Sequence, residues 1–138
     1  MGIKQFTAIK AFLVYNEKVL LLRESLDYED GSNAGKYDVV GGRIKPWQRF
    51  DESLLREIKE ETGLEAKIGK PFHIDEWRPF VKGEQWQIVG TFMECFSDSD
   101  KVVLSKDHDK YIWINPKDYA KYNLLGNLNS TFEAYLNR

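Results

Sequence analysis

The chain has 138 residues, 42% hydrophobic and 14% aromatic, which suits one domain burying roughly two-thirds of its unfolded surface and excludes a disordered segment. A formal net charge of −2 and an isoelectric point near 5.7 leave no broad electrostatic footprint for duplex nucleic acid. The single Cys95 cannot close an internal disulfide, which fits a reducing cytoplasm.

Met1-Gly2 is not followed by a myristoylation motif, because Phe6 stands where Ser or Thr is needed. Residues 5–15 are rich in β-formers; Lys10 interrupts the apolar run and no cleavage site follows, so the segment reads as a strand and not a signal peptide. Residues 18–23 carry Val19, Leu20, Leu21 and Leu22, and Asn16-Glu17 forms the hairpin turn between the two strands. Asp, Gly, Ser and Asn in residues 25–36 mark a loop. Residues 37–40 form a short buried strand ending at Gly41-Gly42. After a loop over 43–49, a helix runs from 50 to 62, with Asp51 as N-cap and Gly63 as the left-handed stop. Residues 66–80 and 85–96 are strands around a turn at Lys82-Gly83. Residues 110–114 form a strand with Tyr111 and Trp113 on one face and Ile112 and Ile114 on the other. Pro116 starts a short helix, and residues 128–136 form an amphipathic one. No apolar stretch reaches membrane-spanning length. Strand hairpins interleaved with two helices predict an α/β fold, a mixed β-sheet packed between helices, across residues 1–138 as a single domain.

The helix over 50–62 holds the densest chemistry. At about 100° per residue, Glu57, Glu60 and Glu61 fall within an arc of roughly 100°. Phe50, Leu54, Leu55, Ile58 and Thr62 make the apolar face, and Glu61 projects between the directions of Phe50 and Leu54, toward the core edge. Like charges at these spacings oppose the helix, and an unpaired buried carboxylate is costly. Three oxygen donors on one face suit a hard divalent cation, Mg²⁺ or Mn²⁺. The alternative is an ordinary solvated face, in which Arg56 pairs with Glu60 and Glu52 at i,i+4. The preceding double glycine and the inward direction of Glu61 favour the metal.

The stretch from Gly42 to Leu64 resembles the Nudix box, G-x5-E-x7-R-E-U-x-E-E-x-G-U with U a bulky aliphatic residue. Gly42, Arg56, Glu57, Ile58, Glu60, Glu61, Gly63 and Leu64 all fall on the pattern. The chain is thereby similar to the small single-domain, MutT-like members of the Nudix hydrolase superfamily. That resemblance implies an α/β/α sandwich and a pyrophosphohydrolase that cleaves phosphoric anhydride bonds in nucleoside diphosphates linked to a moiety X, with a nucleoside triphosphate as the leading substrate. It also implies a small-molecule nucleotide partner, no membrane, and room for a homodimer. By the same resemblance, Glu57, Glu60, Glu61 and the Gly41 carbonyl hold the metal, while Arg56 orients a neighbouring glutamate. A further acid, six residues ahead of Trp113, falls on Asp107, with a polar turn as the plain alternative; beside it, His108 reads more readily as a surface histidine. Arg23 is a phosphate or base contact unless it is spent on Glu24 or Asp27. Asn123 and Asn127 are positions for the base edge, and Trp77 and Trp86 could stack on it unless they belong to the core. Pro79 resembles a proline of ADP-ribose-cleaving members, which makes an ADP-ribose-like nucleotide sugar the alternative substrate.

Gln48 stands where the box has its first glutamate, and Trp47 and Val40 replace the usual glycine and proline. An amide cannot serve as a carboxylate ligand or base; a non-catalytic nucleotide-binding sensor is the alternative that this departure supports. The resemblance predicts that Gln48→Glu tightens Mg²⁺ binding and raises the rate. In thermal melts across a Mg²⁺ titration, the variant should melt below wild type without metal and gain more on its addition. Superimposable titrations would place Gln48 outside the electrostatic reach of the metal.

Overall fold

Strand alternation divides the apolar residues between the two faces of one sheet. The computed structural model describes residues 2–25 and 35–138, so most of the loop expected at 25–36 lies outside the described residues. In chain order the elements are β1 (Lys4–Tyr15), β2 (Lys18–Glu24), β3 (Tyr37–Asp38), β4 (Val40–Arg43), α1 (Phe50–Thr62), β5 (Ala66–Trp77), β6 (Phe80–Val81), β7 (Glu84–Ser97), β8 (His108–Ile114), a 3₁₀ turn (Pro116–Lys121) and α2 (Leu128–Leu136). Ile9, Ala11, Leu13, Leu20 and Leu22 pack with Leu54 and Ile58 of α1. Phe12, Val19 and Leu21 turn the other way and pack with Leu128, Phe132 and Tyr135 of α2. Each face is thus covered by a helix, giving the expected α/β/α sandwich on a mixed sheet. No helix among the described residues is long and apolar enough to cross a membrane.

The central strand is β1. Along one edge β7 runs parallel to it, from Lys4 opposite Trp86 to Val14 opposite Phe96. On the other edge, β2 pairs with it only at Val14 and Tyr15. Where the two part, β4 fills the edge of β1, with Ala8 to Ala11 opposite Arg43 to Val40. β2 diverges to pair with β3 and β8, and β5 flanks β7. The hairpin turn at Asn16-Glu17 and the turn at Lys82-Gly83 fall where expected, each with positive φ at both central residues.

Four local expectations are corrected. Residues 37–40 are not one strand: the chain pairs with β2 at Tyr37 and Asp38, then changes partner to β1, so the double glycine lies inside β4. The strand expected to run to residue 80 stops at Trp77, because Pro79 has no N–H to continue the ladder; β6 then pairs with β7 alone. Asp51 is not the N-cap of α1. The first helical bond runs from Ser53 N–H to the Arg49 carbonyl, which makes Arg49 the cap and leaves Asp51 in the first turn, bonded to Glu52 N–H and Arg49. Phe50 and Leu55 are exposed, since they flank a shallow groove of about 630 Å³ with Ile68, Pro71 and Met93. The buried face of α1 is Ser53, Leu54, Ile58 and Thr62.

Gly41 is the tightest point of the sheet. Its φ is 130°, and a Cβ there would lie 2.3 Å from the Ile9 carbonyl oxygen and 2.8 Å from Lys10 Cα, both backbone atoms that cannot give way. Gly41→Ala should therefore destabilise the protein by roughly 2 kcal/mol or more, read as a lower urea midpoint at unchanged slope. An unaltered midpoint would mean that the β1–β4 pairing relaxes freely.

Candidate active site

A cleft of about 870 Å³ draws its walls from β1, β3, β4, α1, β5, β6, β7 and the start of α2. One part is charged, with Lys10, Asp38, Glu57, Glu61, Asp107 and His108; another is aromatic, with Trp77, Phe80, Trp86 and Phe92. The residues of α1 reach this space past the double glycine. A Cβ on Gly42 would sit 3.6 Å from the Glu57 carboxylate, in ordinary van der Waals contact, which places Glu57 directly against the double glycine.

Lys10, the residue that interrupts the apolar run of β1, lies on the cleft wall with its side chain only 11% exposed. A buried ammonium needs a partner. Nζ donates to Asp38 Oδ2 at 2.9 Å, and the other Asp38 oxygen accepts from Val39 N–H at 2.7 Å. Burial works against the charge on Lys10, but Asp38, helped by Glu61 and Glu57, outweighs it and raises the pKa. Glu61 is 17% exposed, and its Oε1 accepts from Gly41 N–H at 3.0 Å. Burial above all pushes its pKa up to about 8, with the charges of Glu57 and Asp38 adding to the rise and Lys10 and the Gly41 N–H opposing it.

Arg56 organises the remaining glutamates. Its Nη2 donates to Glu57 Oε1 at 3.3 Å and its Nη1 to both oxygens of Glu60 at 3.1 Å. Glu57 lines the cleft; Glu60, 58% exposed, does not. His108 differs from the surface histidine expected. Its side chain is 14% exposed, with Nε2 4.0 Å from Glu61 Oε2, and Nδ1 is buried without a hydrogen-bond partner. Burial lowers its pKa, and Lys10 adds to that against the pull of Asp38, Asp107 and Asp109, so the imidazole is neutral at pH 7.

The other expected positions divide. Asp107 lines the cleft, and its carbonyl accepts from Ser25 N–H at 2.9 Å. Asn127 lines it too, whereas Asn123 lies off the wall and gives its carbonyl to Tyr37 N–H. Arg23 is held by Asp109 at 2.8 Å, a partner the sequence reading did not name, and lies outside the lining; Asp27 is not among the described residues. Gln48 turns its Oε1 back onto Lys45 N–H at 3.2 Å, and Trp47 is fully exposed at φ 75°; neither lines the cleft. Sequence reasoning missed Lys10 and Asp38 as members of the site. A charge within an apolar strand was the signal available for Lys10.

The donor chemistry fits a hard divalent ion. Glu57 and Glu61 place two carboxylates on one wall. Among the described residues no three His, Cys, Asp or Glu side chains close on one point, because Arg56 draws Glu60 away.

The NUDIX domain model matches residues 4–134 of the chain. The nucleoside triphosphatase NudI of Escherichia coli (strain K12) is 26% identical over 122 residues, covering 81% of this chain and 84% of that protein. Among solved structures, the MutT protein from Methanosarcina mazei Go1 superposes with a TM-score of 0.82 at 24% identity, over 96% of this chain and 94% of the other. A MutT NUDIX hydrolase from Burkholderia pseudomallei gives 0.77 at 19% identity, over 95% and 98%. At these identities the two structures speak for the fold.

The elevated pKa of Glu61 fixes a pH dependence. Folded Glu61 keeps its proton up to about pH 8, and its ordinary value is 4.5, so between these the folded state binds more protons than the unfolded. Stability from this group is greatest below that window and falls as pH rises through it. In urea melts of metal-free protein, wild type should lose stability relative to Glu61→Gln from pH 5 to 8, by up to a few kcal/mol. A pH-independent difference would contradict the assignment.

Proposed function

The chain belongs to the Nudix family and is a pyrophosphohydrolase acting on nucleoside diphosphates linked to a moiety X; from that premise we propose a Mg²⁺-dependent hydrolase of a nucleoside triphosphate or related small nucleotide. Water attacks the pyrophosphate bridge. The observation that carries this reading is the Glu61 carboxylate, held by Gly41 N–H beside Glu57 in a cleft wide enough for a nucleotide. A bound Mg²⁺, or Mn²⁺ in its place, neutralises phosphoryl oxygens and eases deprotonation of the attacking water.

In this reading Glu57 and Glu61 would hold the ion with the Gly41 carbonyl, and Glu60 would join them only by leaving Arg56. Arg56 fixes the carboxylates by charge-assisted hydrogen bonds, and Asp107 orients the water. Lys10 adds a fixed positive charge to the same wall for the phosphate chain. Arg23 can contact the substrate only by leaving Asp109. The likeness to NudI, a nucleoside triphosphatase, supports a triphosphate, whereas Pro79 on the cleft wall keeps an ADP-ribose-like nucleotide sugar as the second substrate class. Enzyme membership displaces the non-catalytic sensor. We place the single-domain enzyme in the cytoplasm, acting on free nucleotides and not on duplex nucleic acid or membranes, with room for a homodimer.

A panel of dNTPs, NTPs, ADP-ribose and dinucleoside polyphosphates with Mg²⁺, scored by phosphate or pyrophosphate release, identifies the substrate. Activity should vanish in EDTA, and Glu57→Gln or Glu61→Gln should lower it on the order of a hundredfold or more while the domain stays folded. Full activity in EDTA, or in Glu61→Gln, would sink the metal mechanism.

A further inference from the structure

We propose that Asp75 selects the nucleobase, accepting a hydrogen bond from an exocyclic amino group. The inference rests on the nucleotide-hydrolase reading and adds the class of base that the site takes. The phosphate chemistry makes no use of Asp75. It belongs to β5, in the part of the cleft that holds Trp77, Phe80 and Phe92, and an unscreened carboxylate there would repel a phosphate. An apolar pocket with one polar group that fixes orientation is the usual form of a small-molecule subsite.

Alternation on β5 puts His73, Asp75 and Trp77 on one face, opposite Phe92, Gly90 and Ile88 of β7. The partner of Asp75 is therefore a glycine, which offers no side chain to bond it. The bare backbone of Gly90 instead receives the Trp77 ring, since a Cβ there would lie 2.5 Å from Trp77 Cη2. Trp77 is thereby fixed next to Asp75. Phe80, 71% exposed, stands on the hairpin that turns at Lys82-Gly83 and also lines the cleft. These rings offer faces on which a base stacks.

Asp75 Oδ1 is engaged, accepting from Glu76 N–H at 2.7 Å. Oδ2 has no hydrogen bond among the described residues; His73 Nε2 lies 4.0 Å away, beyond bonding distance. That Nε2 is itself buried without a partner. Unmade hydrogen bonds of this kind cost free energy, and a donor arriving at Oδ2 relieves the carboxylate. A carboxylate only accepts. An amino group on cytosine or adenine satisfies it, whereas the carbonyl that uracil, guanine or hypoxanthine carries at the same edge sets acceptor against acceptor.

The test uses non-hydrolysable α,β-imido analogues of dCTP, dUTP, dATP and dITP, titrated calorimetrically in Mg²⁺, so that binding is read without turnover. Wild type should bind dCTP over dUTP, and dATP over dITP, by about ten- to a hundredfold. Asp75→Asn keeps an acceptor for Glu76 N–H but turns an N–H₂ toward the base, and should abolish or invert both ratios. Should Asp75→Asn fail to fold, Asp75→Ser provides the same comparison. Equal affinities within each wild-type pair, ratios that the Asp75 variants leave unchanged, or no binding of any analogue would overturn the proposal. Preserved base preference without hydrolysis in the substrate panel would sink the reaction and leave base selection standing.

Discussion

The hydrogen bond from Gly41 N–H to Glu61 Oε1, 3.0 Å long, ties the sheet to α1 at the one place where the backbone of β4 lies too close to β1 for any side chain. Its geometry demands glycine, because the alternative atoms at Ile9 and Lys10 are backbone. Once the bond is set, so is the rotational phase of α1. Leu54 and Ile58 enter the core, Glu57 passes Gly42, and Glu60 remains outside with Arg56. The same contact decides what the cleft can do, since it fixes one carboxylate oxygen and leaves the other facing the cavity.

Charge is distributed around that contact with little to spare. Lys10 is neutralised by Asp38 and still felt by Glu61 and Glu57, so one ammonium serves three carboxylates. Desolvation then dominates at Glu61 and makes it hold its proton. His108, kept neutral by the same burial, supplies no charge to correct this. An ion drawn to Glu57 and Glu61 would restore the balance that the protein groups alone do not reach. The aromatic part of the cleft has a different character: Trp77, Phe80, Trp86 and Phe92 line it, with Asp75 and Asn127 among them and Arg43 over the Trp86 ring.

Local rules carried far along the chain. Helix α1 ends at Gly63 with φ 73° because only a residue without Cβ adopts that cap at no cost, and the β1–β2 hairpin turns where two residues interrupt two apolar runs. The box residues were legible because spacing on a helix is set within one turn. Errors arose where partners were distant. Asp51 had the chemistry of a cap, but the position of the first helical bond is decided by how α1 docks. Glu60 shares the helical arc of Glu57 and Glu61, yet Arg56 captures it, and no helical wheel ranks competing ion pairs. His108 looked superficial in a run of charged residues until β8 paired with β2 and carried it to the cleft wall.

By itself the sequence determined the alternation that makes two cores, the helix that presents Glu57 and Glu61, and the family to which the chain belongs, since all three follow from neighbours within a few residues. Tertiary structure decided the rest. The parting of β1 from β2, filled by β4, brings Lys10 to Asp38 across 28 positions of sequence, and the pairing of β5 with β7 sets Asp75 opposite a glycine. Such contacts depend on strand order and register, which are properties of the assembled sheet: a shift of one residue would turn every side chain of a strand to the other face.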